Sequence, residues 1–261
     1  MAKKQRVDQI LVERGLAANL DEARRLIMAG KILLEGQLLF APSQSMSLDG
    51  ELSLAQEAQF VSRGGDKLQG ALEEFNISVD ELVCADVGAS TGGFTDCLLQ
   101  HGASRVYAID VGYGILDWRL RNDSRVIVLE RTNARELGQL PEKVDFITAD
   151  VSFISLRAIF PSLAGWYANQ GGEAVVLVKP QFEATKEESA RGAGVISNPD
   201  IHKRVIREVL DFAAGKGFGT RGVIRSPLTG PAGNQEFLAW LTYPAIDREQ
   251  AGLKDIIDAL F

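Results

Sequence analysis

The sequence predicts a large α/β domain on a mostly parallel sheet, preceded by a small α+β module. Three observations carry that expectation. From residue 82 onward, short apolar runs alternate with helical segments, the pattern of a parallel sheet with helices on both faces. Before residue 59 the order is instead helix, helix and short strands. The chain's 261 residues suffice for one large and one small domain.

Composition narrows the class. The chain is 46% hydrophobic and 24% charged, ordinary globular usage. No run approaches the ~20 apolar residues of a membrane helix. The opening MAKKQRVDQI leads into no apolar signal core. The expected location is the cytoplasm, with no membrane partner. Cys84 and Cys97 form no CxxC pair and read as reduced core residues. With only His101 and His202 and no cysteine cluster, no metal site is expected. The net charge of −7 weighs against nucleic acid. Its distribution weighs the other way: residues 1–31 hold seven basic and four acidic groups, whereas residues 32–58 hold four acidic and no basic one.

The front elements follow in order. Val7, Ile10, Leu11 and Arg14 share one helix face, and Gly15 stops it. Asn19-Leu-Asp-Glu22 is a capping-box signature opening a second helix, with Ala23, Leu26 and Ile27 inside and Gly30 at its end. Ile32–Leu39 reads as two short strands around Glu35-Gly36-Gln37, and Glu51–Leu54 as another. This succession, through AGKILLEGQLL, resembles the S4-type RNA-binding domain over roughly residues 5–58. The resemblance implies phosphate contacts from Arg24, Arg25 and Lys31, with Arg6 at the start of the first helix. A solvated charged face is the competing reading. The expected boundaries are 1–58 for this module, 59–63 for a linker and 64–261 for the main domain.

In the main domain, strands are expected at Leu82–Val87, Arg105–Asp110, Val126–Glu130, Val144–Asp150 and Ala174–Lys179. Gly222–Pro227 and Glu236–Tyr243 follow as a closing hairpin, making seven strands. The first ends in Asp86-Val-Gly-Ala-Ser-Thr-Gly-Gly-Phe94. Gly88 and Gly92 permit a sharp turn and close approach to a ligand. The motif is neither G-x-G-x-x-G nor a P-loop; D-x-G-x-x-x-G is the pattern of S-adenosylmethionine-dependent methyltransferases. Asp86, Gly88, Ala89, Ser90, Thr91, Gly92, Gly93 and Phe94 are therefore the expected cofactor loop. Asp110 ends the second strand, near the offset at which an acidic residue meets a ribose hydroxyl. Asn133 and Asp150 complete the expected cofactor set. Thr185–Asn198 reads as a polar loop that folds over RNA or stays solvated.

Lys179 closes the apolar strand Ala174–Val178 just before Pro180, at the edge where open α/β sheets bind ligands. Asp86, Asp110 and Asp150 end strands on that same edge. An antiparallel last strand would bring Glu236 there, and Lys67 opens a helix beside it. Ser62–Leu68, Asp86–Phe94, Ala149–Phe153, Val178–Phe182 and Gly233–Glu236 closely resemble the hemolysin-A-like (TlyA) family, whose catalytic domain is similar to FtsJ-type ribose 2′-O-methyltransferases. The resemblance implies a Rossmann-like class I methyltransferase fold, S-adenosylmethionine as cofactor, and ribosomal RNA or ribosomal subunits as partner. Its Lys-Asp-Lys-Glu tetrad falls on Lys67, Asp150, Lys179 and Glu236. An amine removes a proton only when neutral, a state that burial and a second cation favour. Lys179 is the expected base, with Lys67 beside it and the two carboxylates holding the ammonium groups. Arg63 and Arg191 are further expected RNA contacts. The alternatives are a non-catalytic RNA-binding or ribosome-assembly factor, and a membrane-active hemolysin.

Overall fold

A computed structural model describes residues 4–54, 58–245 and 252–261. The chain divides into two compact units, Met1–Ala58 and Gln59–Phe261. In the first unit, strand β1 (Lys4–Arg6) runs into helix α1 (Val7–Glu13), followed by α2 (Leu20–Met28), β2 (Ile32–Leu34), β3 (Gln37–Leu38), β4 (Ser45–Ser47) and β5 (Leu52–Leu54). Val7, Ile10 and Leu11 of α1 pack on Ala23 and Ile27 of α2, with Ile32, Met46 and Leu52 closing the core. Gly15, at φ +71°, lets the chain turn after α1. Asn19 caps α2 by accepting from Glu22 N at 2.9 Å. The reciprocal bond reaches one residue further than expected, from Ala18 N to Glu22 Oε2 at 2.6 Å. Glu35 and Gly36 both take positive φ, the two-residue hairpin turn that matches strand twist. β1 pairs antiparallel with β4.

The second unit contains α3 (Gly64–Glu74), β6 (Val83–Val87), α4 (Gly93–Gln100), β7 (Arg105–Ile109), α5 (Trp118–Arg121), β8 (Val126–Leu129), β9 (Phe146–Ala149), a 3-10 turn (Leu156–Ala158), α6 (Phe160–Ala164), β10 (Gly172–Val178), α7 (Pro180–Glu183), α8 (Lys186–Arg191), α9 (Pro199–Ala214), β11 (Gly219–Arg225), β12 (Phe237–Tyr243) and α10 (Leu253–Asp258). The seven strands lie in the order β11-β12-β10-β9-β6-β7-β8. β6 to β10 pair in parallel, and β12 is antiparallel to both β10 and β11. The chain starts at β6, winds out through β7 and β8, then returns to build β9 and β10 on the other side. That reversal between β6 and β9 opens a crevice at their carboxyl ends. Apolar cores fill both faces of the sheet, which explains why β9 and β10 carry apolar runs rather than alternation.

The expected loop at Thr185–Asn198 is corrected. It begins as helix α8, because Thr185 and Glu188 form a complete capping box. Its remainder is held by Asn234, whose side chain accepts from Ile196 N at 2.8 Å and donates to Gly194 O at 2.9 Å.

Candidate active site

The turn after β6 is shaped by glycines for steric reasons. Gly88 takes φ +82°, and a Cβ there would collide with the Asp150 carbonyl. Gly92 takes φ +96°, and a Cβ there would collide with Leu120. Ser90 also has positive φ, +51°, and its N–H donates to Asp110 Oδ2 at 2.8 Å. Gly112 N donates to Asp110 Oδ1 at 2.7 Å. The Asp110 carboxylate is thus fixed by two backbone donors, with lone pairs left on both oxygens. A cavity of about 330 Å³ opens here, within the range of nucleotide-sized sites. Gly88, Ser90, Asp110, Asn133 and Asp150 of the expected cofactor set line it.

The other members of that set do not line the cavity. Ala89, Gly92, Gly93 and Phe94 are buried and build the turn and the start of α4, while Thr91 is exposed beside it. Asp86 is a clearer correction. It lies inside β6 rather than at its end, fully buried, where Oδ2 accepts from Thr95 Oγ1 at 2.6 Å and Oδ1 from Thr148 Oγ1 at 3.0 Å. Burial pushes its carboxyl up to about 6, against the pull of the two hydroxyls. It ties α4 to β6 and β9 below the cavity floor.

A second cavity of about 230 Å³ is lined by Arg63, Lys67, Asp150, Ser152, Lys179 and Glu236, among others. The register explains the convergence. Val178 of β10 lies opposite Phe237 of antiparallel β12, so Lys179 and Glu236 leave the sheet together. Asp150 follows the last residue of β9, and Lys67 projects from the first turn of α3. Lys179 Nζ lies 2.5 Å from Asp150 Oδ1 and donates to Ser152 Oγ at 2.8 Å. Lys67 Nζ donates to Glu236 Oε2 at 2.5 Å. Lys67, Lys179 and Glu236 are all buried. The two lysines face two carboxylates, and Arg63 gives the cavity lining one net positive formal charge. Asp150 and Ser152 line both cavities and join them.

Ser152 and Phe153, within the Ala149-Asp-Val-Ser-Phe153 motif, line the larger cavity although neither is among the expected site residues. Phe153 is 88% exposed at φ +66°, a conformation that costs an aromatic residue energy. Its ring meets Phe182 at 5.2 Å between centroids. Glu183, buried at the end of α7, accepts from Ser155 Oγ and Leu156 N, both at 2.6 Å. Burial raises its carboxyl above the ordinary range. The segments after β9 and β10 are therefore stitched together at several points.

Of the expected RNA contacts, Arg63 lines the second cavity and donates to Thr229 O at 3.1 Å. Arg191 is exposed at the end of α8. In the first unit Arg25 and Lys31 are exposed. Arg6 grips Asp8 through Nε at 3.0 Å and Nη2 at 2.7 Å, and Arg24 Nε reaches the same carboxylate at 3.2 Å. Asp8 is fully buried while both guanidinium groups stay about half exposed. The Arg6 hydrogen bonds, chiefly, hold the Asp8 carboxyl below its usual range. Among the described residues no group of His, Cys, Asp and Glu could hold a metal ion.

The strand order and the crevice at its reversal define the class I S-adenosylmethionine-dependent methyltransferase fold. A solved methyltransferase of that kind from Mesorhizobium loti shares it at TM-score 0.50 and 14% identity, over 66% of this chain and 96% of that one. The family model for FtsJ-like methyltransferases matches residues 60–243. The chain belongs to that family, in its hemolysin A-like (TlyA) branch. The 16S/23S rRNA (cytidine-2′-O)-methyltransferase TlyA of Mycobacterium tuberculosis is 47% identical over 247 residues, 92% of this chain and 91% of the relative. A solved protein from Streptococcus thermophilus, described as a candidate hemolysin, matches at TM-score 0.74 and 40% identity, over 99% of this chain and 96% of that one. The protein is thus a methyltransferase of the FtsJ-like family.

Proposed function

We propose that this enzyme methylates the ribose 2′-hydroxyl of a cytidine in ribosomal RNA, and that its first unit is an S4-type module holding the RNA backbone. The supporting observation is the junction of the two cavities: Asp150 and Ser152 line both, and the buried Lys179 on the wall of the smaller one contacts each of them. The carboxylate of Asp110 suits a ribose diol, and the Gly88 turn admits a ligand to the backbone, so the larger cavity fits S-adenosylmethionine. When bound, that cofactor supplies a methyl already activated by sulfonium charge. What the chain must add is alignment and proton removal.

Lys179, as a neutral amine, would take the 2′-hydroxyl proton while that oxygen is methylated. Asp150 stabilises the ammonium that forms. Lys67, held by Glu236, orients the hydroxyl from the other side. Phe153, exposed at the rim, offers an aromatic face to an unstacked base. Arg6, Arg24, Arg25 and Lys31 contact phosphates without reading sequence; Arg63 does so on the wall of the smaller cavity, and Arg191 at the end of α8. This substrate places the enzyme in the cytoplasm. A membrane-active role rests only on a relative's description; among the described residues no helix is long and apolar enough to cross a membrane.

The test is methyl transfer from labelled S-adenosylmethionine to naked ribosomal RNA and to separate ribosomal subunits, with nucleosides identified by mass spectrometry. Label on a cytidine ribose supports the proposal. Label on a base, or none on either form of RNA, refutes it.

A further inference from the structure

We infer that Ser152 is a positioning residue for the Lys179 amine, a role outside the Lys-Asp-Lys-Glu tetrad; this rests on the reading of Lys179 as the proton acceptor. The Lys179 ammonium is 2.5 Å from Asp150 Oδ1, yet that oxygen has no hydrogen-bond partner. Asp150 therefore supplies charge without direction. Direction comes from Ser152 Oγ, which accepts a hydrogen bond from Lys179 Nζ at 2.8 Å. An amine nitrogen has four tetrahedral directions. Cε takes one, Ser152 fixes a second and the Asp150 charge faces a third, leaving one for a hydroxyl in the cavity.

Ser152 is itself well held. The next residue, Phe153, packs its ring on Phe182. Glu183 clamps Ser155 and Leu156 a little further on. Phe182 and Glu183 both belong to α7, which begins directly after Lys179. The hydroxyl and the amine it orients are thus mounted on two segments fixed to each other, and misplacement of an amine by ~1 Å lowers transfer on the order of 100-fold.

Ser152 is exposed, so a Cγ methyl has room, and Thr and Val make a matched pair differing only in the hydroxyl. Ser152→Val is expected to lower kcat on the order of 10- to 100-fold, with KM for RNA and calorimetric affinity for S-adenosylmethionine changed less than about twofold. Ser152→Thr should stay within about threefold of the parent. Because Ser152 acts through Lys179, Ser152→Val should add no further loss in a Lys179→Met background. Equal activity of the Thr and Val variants overturns the inference, as does a loss of cofactor affinity that tracks kcat. An active Lys179→Met enzyme refutes instead the reading on which the inference rests.

Discussion

Replacing Lys67 by Met should destabilise the second unit more than it would at almost any surface lysine. Glu236 is 1% exposed and Lys67 7%, and their 2.5 Å contact is the close charge pairing available to that carboxylate. Gln181 Nε2, 3.5 Å from the other oxygen, is at the limit of a hydrogen bond and offsets little. Removing one partner of such a buried pair costs about 3–5 kcal/mol, because the other charge stays desolvated. For a unit of this size that is a fall in Tm of roughly 6–20 °C. Lys67→Met/Glu236→Gln removes both charges and should recover most of the loss, to within about 1–2 kcal/mol of the parent. Trp118, Trp166 and Trp240 all lie in the second unit, so tryptophan fluorescence in urea follows that unit alone. All these variants should be inactive, separating the stability role of the pair from its part in transfer. A Lys67→Met protein within ~1 kcal/mol of the parent, or a double variant weaker than either single one, would refute this account of the pair.

Two further perturbations probe groups away from the reacting atoms. Asp86, with its carboxyl at about 6 in the fold against an ordinary 3.8, favours folding fully only below the lower value and loses that contribution as pH rises through 6. Asp86→Asn should therefore stabilise the second unit by an amount that grows from pH 4 to 6 and levels at roughly 3 kcal/mol; a pH-independent difference in urea titrations would contradict this. Asp8→Asn removes a negative charge yet should weaken RNA binding and flatten its salt dependence by about one to two phosphate contacts, because Arg6 and Arg24 lose their shared anchor. Filter binding across a salt series checks it, with Arg24→Ala as the direct comparison. Unchanged or tighter binding by Asp8→Asn, alongside weakened Arg24→Ala, would show that the clamp is structural only.

The fold was legible wherever burial sets the pattern. Ala174–Val178 is apolar throughout because both faces of the sheet are covered, and the convergence of Lys179, Asp150 and Glu236 follows from strand ends alone. Four features escape a reading of the sequence, for physical reasons. β1 is Lys-Gln-Arg, with no apolar alternation, and exists because Ser45–Ser47 pairs with it from forty residues away. Asp86 precedes the glycine turn by two residues, but it sits one residue inside the end of β6, and its side chain lies below the cavity instead of in it, among Thr95 and Thr148. α8 carried a readable Thr185-x-x-Glu188 box inside a polar, glycine-containing stretch that otherwise looks like a loop. Ser152 needed coordinates, since only the approach of Lys179 from the neighbouring strand sets it apart from any other exposed serine.

The most direct test of the central claim is single-turnover transfer by Lys179→Met on ribosomal RNA, with S-adenosylmethionine affinity measured by calorimetry on the same protein. The account predicts cofactor affinity within about twofold of the parent and 2′-O-methylcytidine formation reduced at least 100-fold, the scale of a lost general base. A Lys179→Met enzyme that binds the cofactor and still methylates the ribose at the parent rate would contradict it.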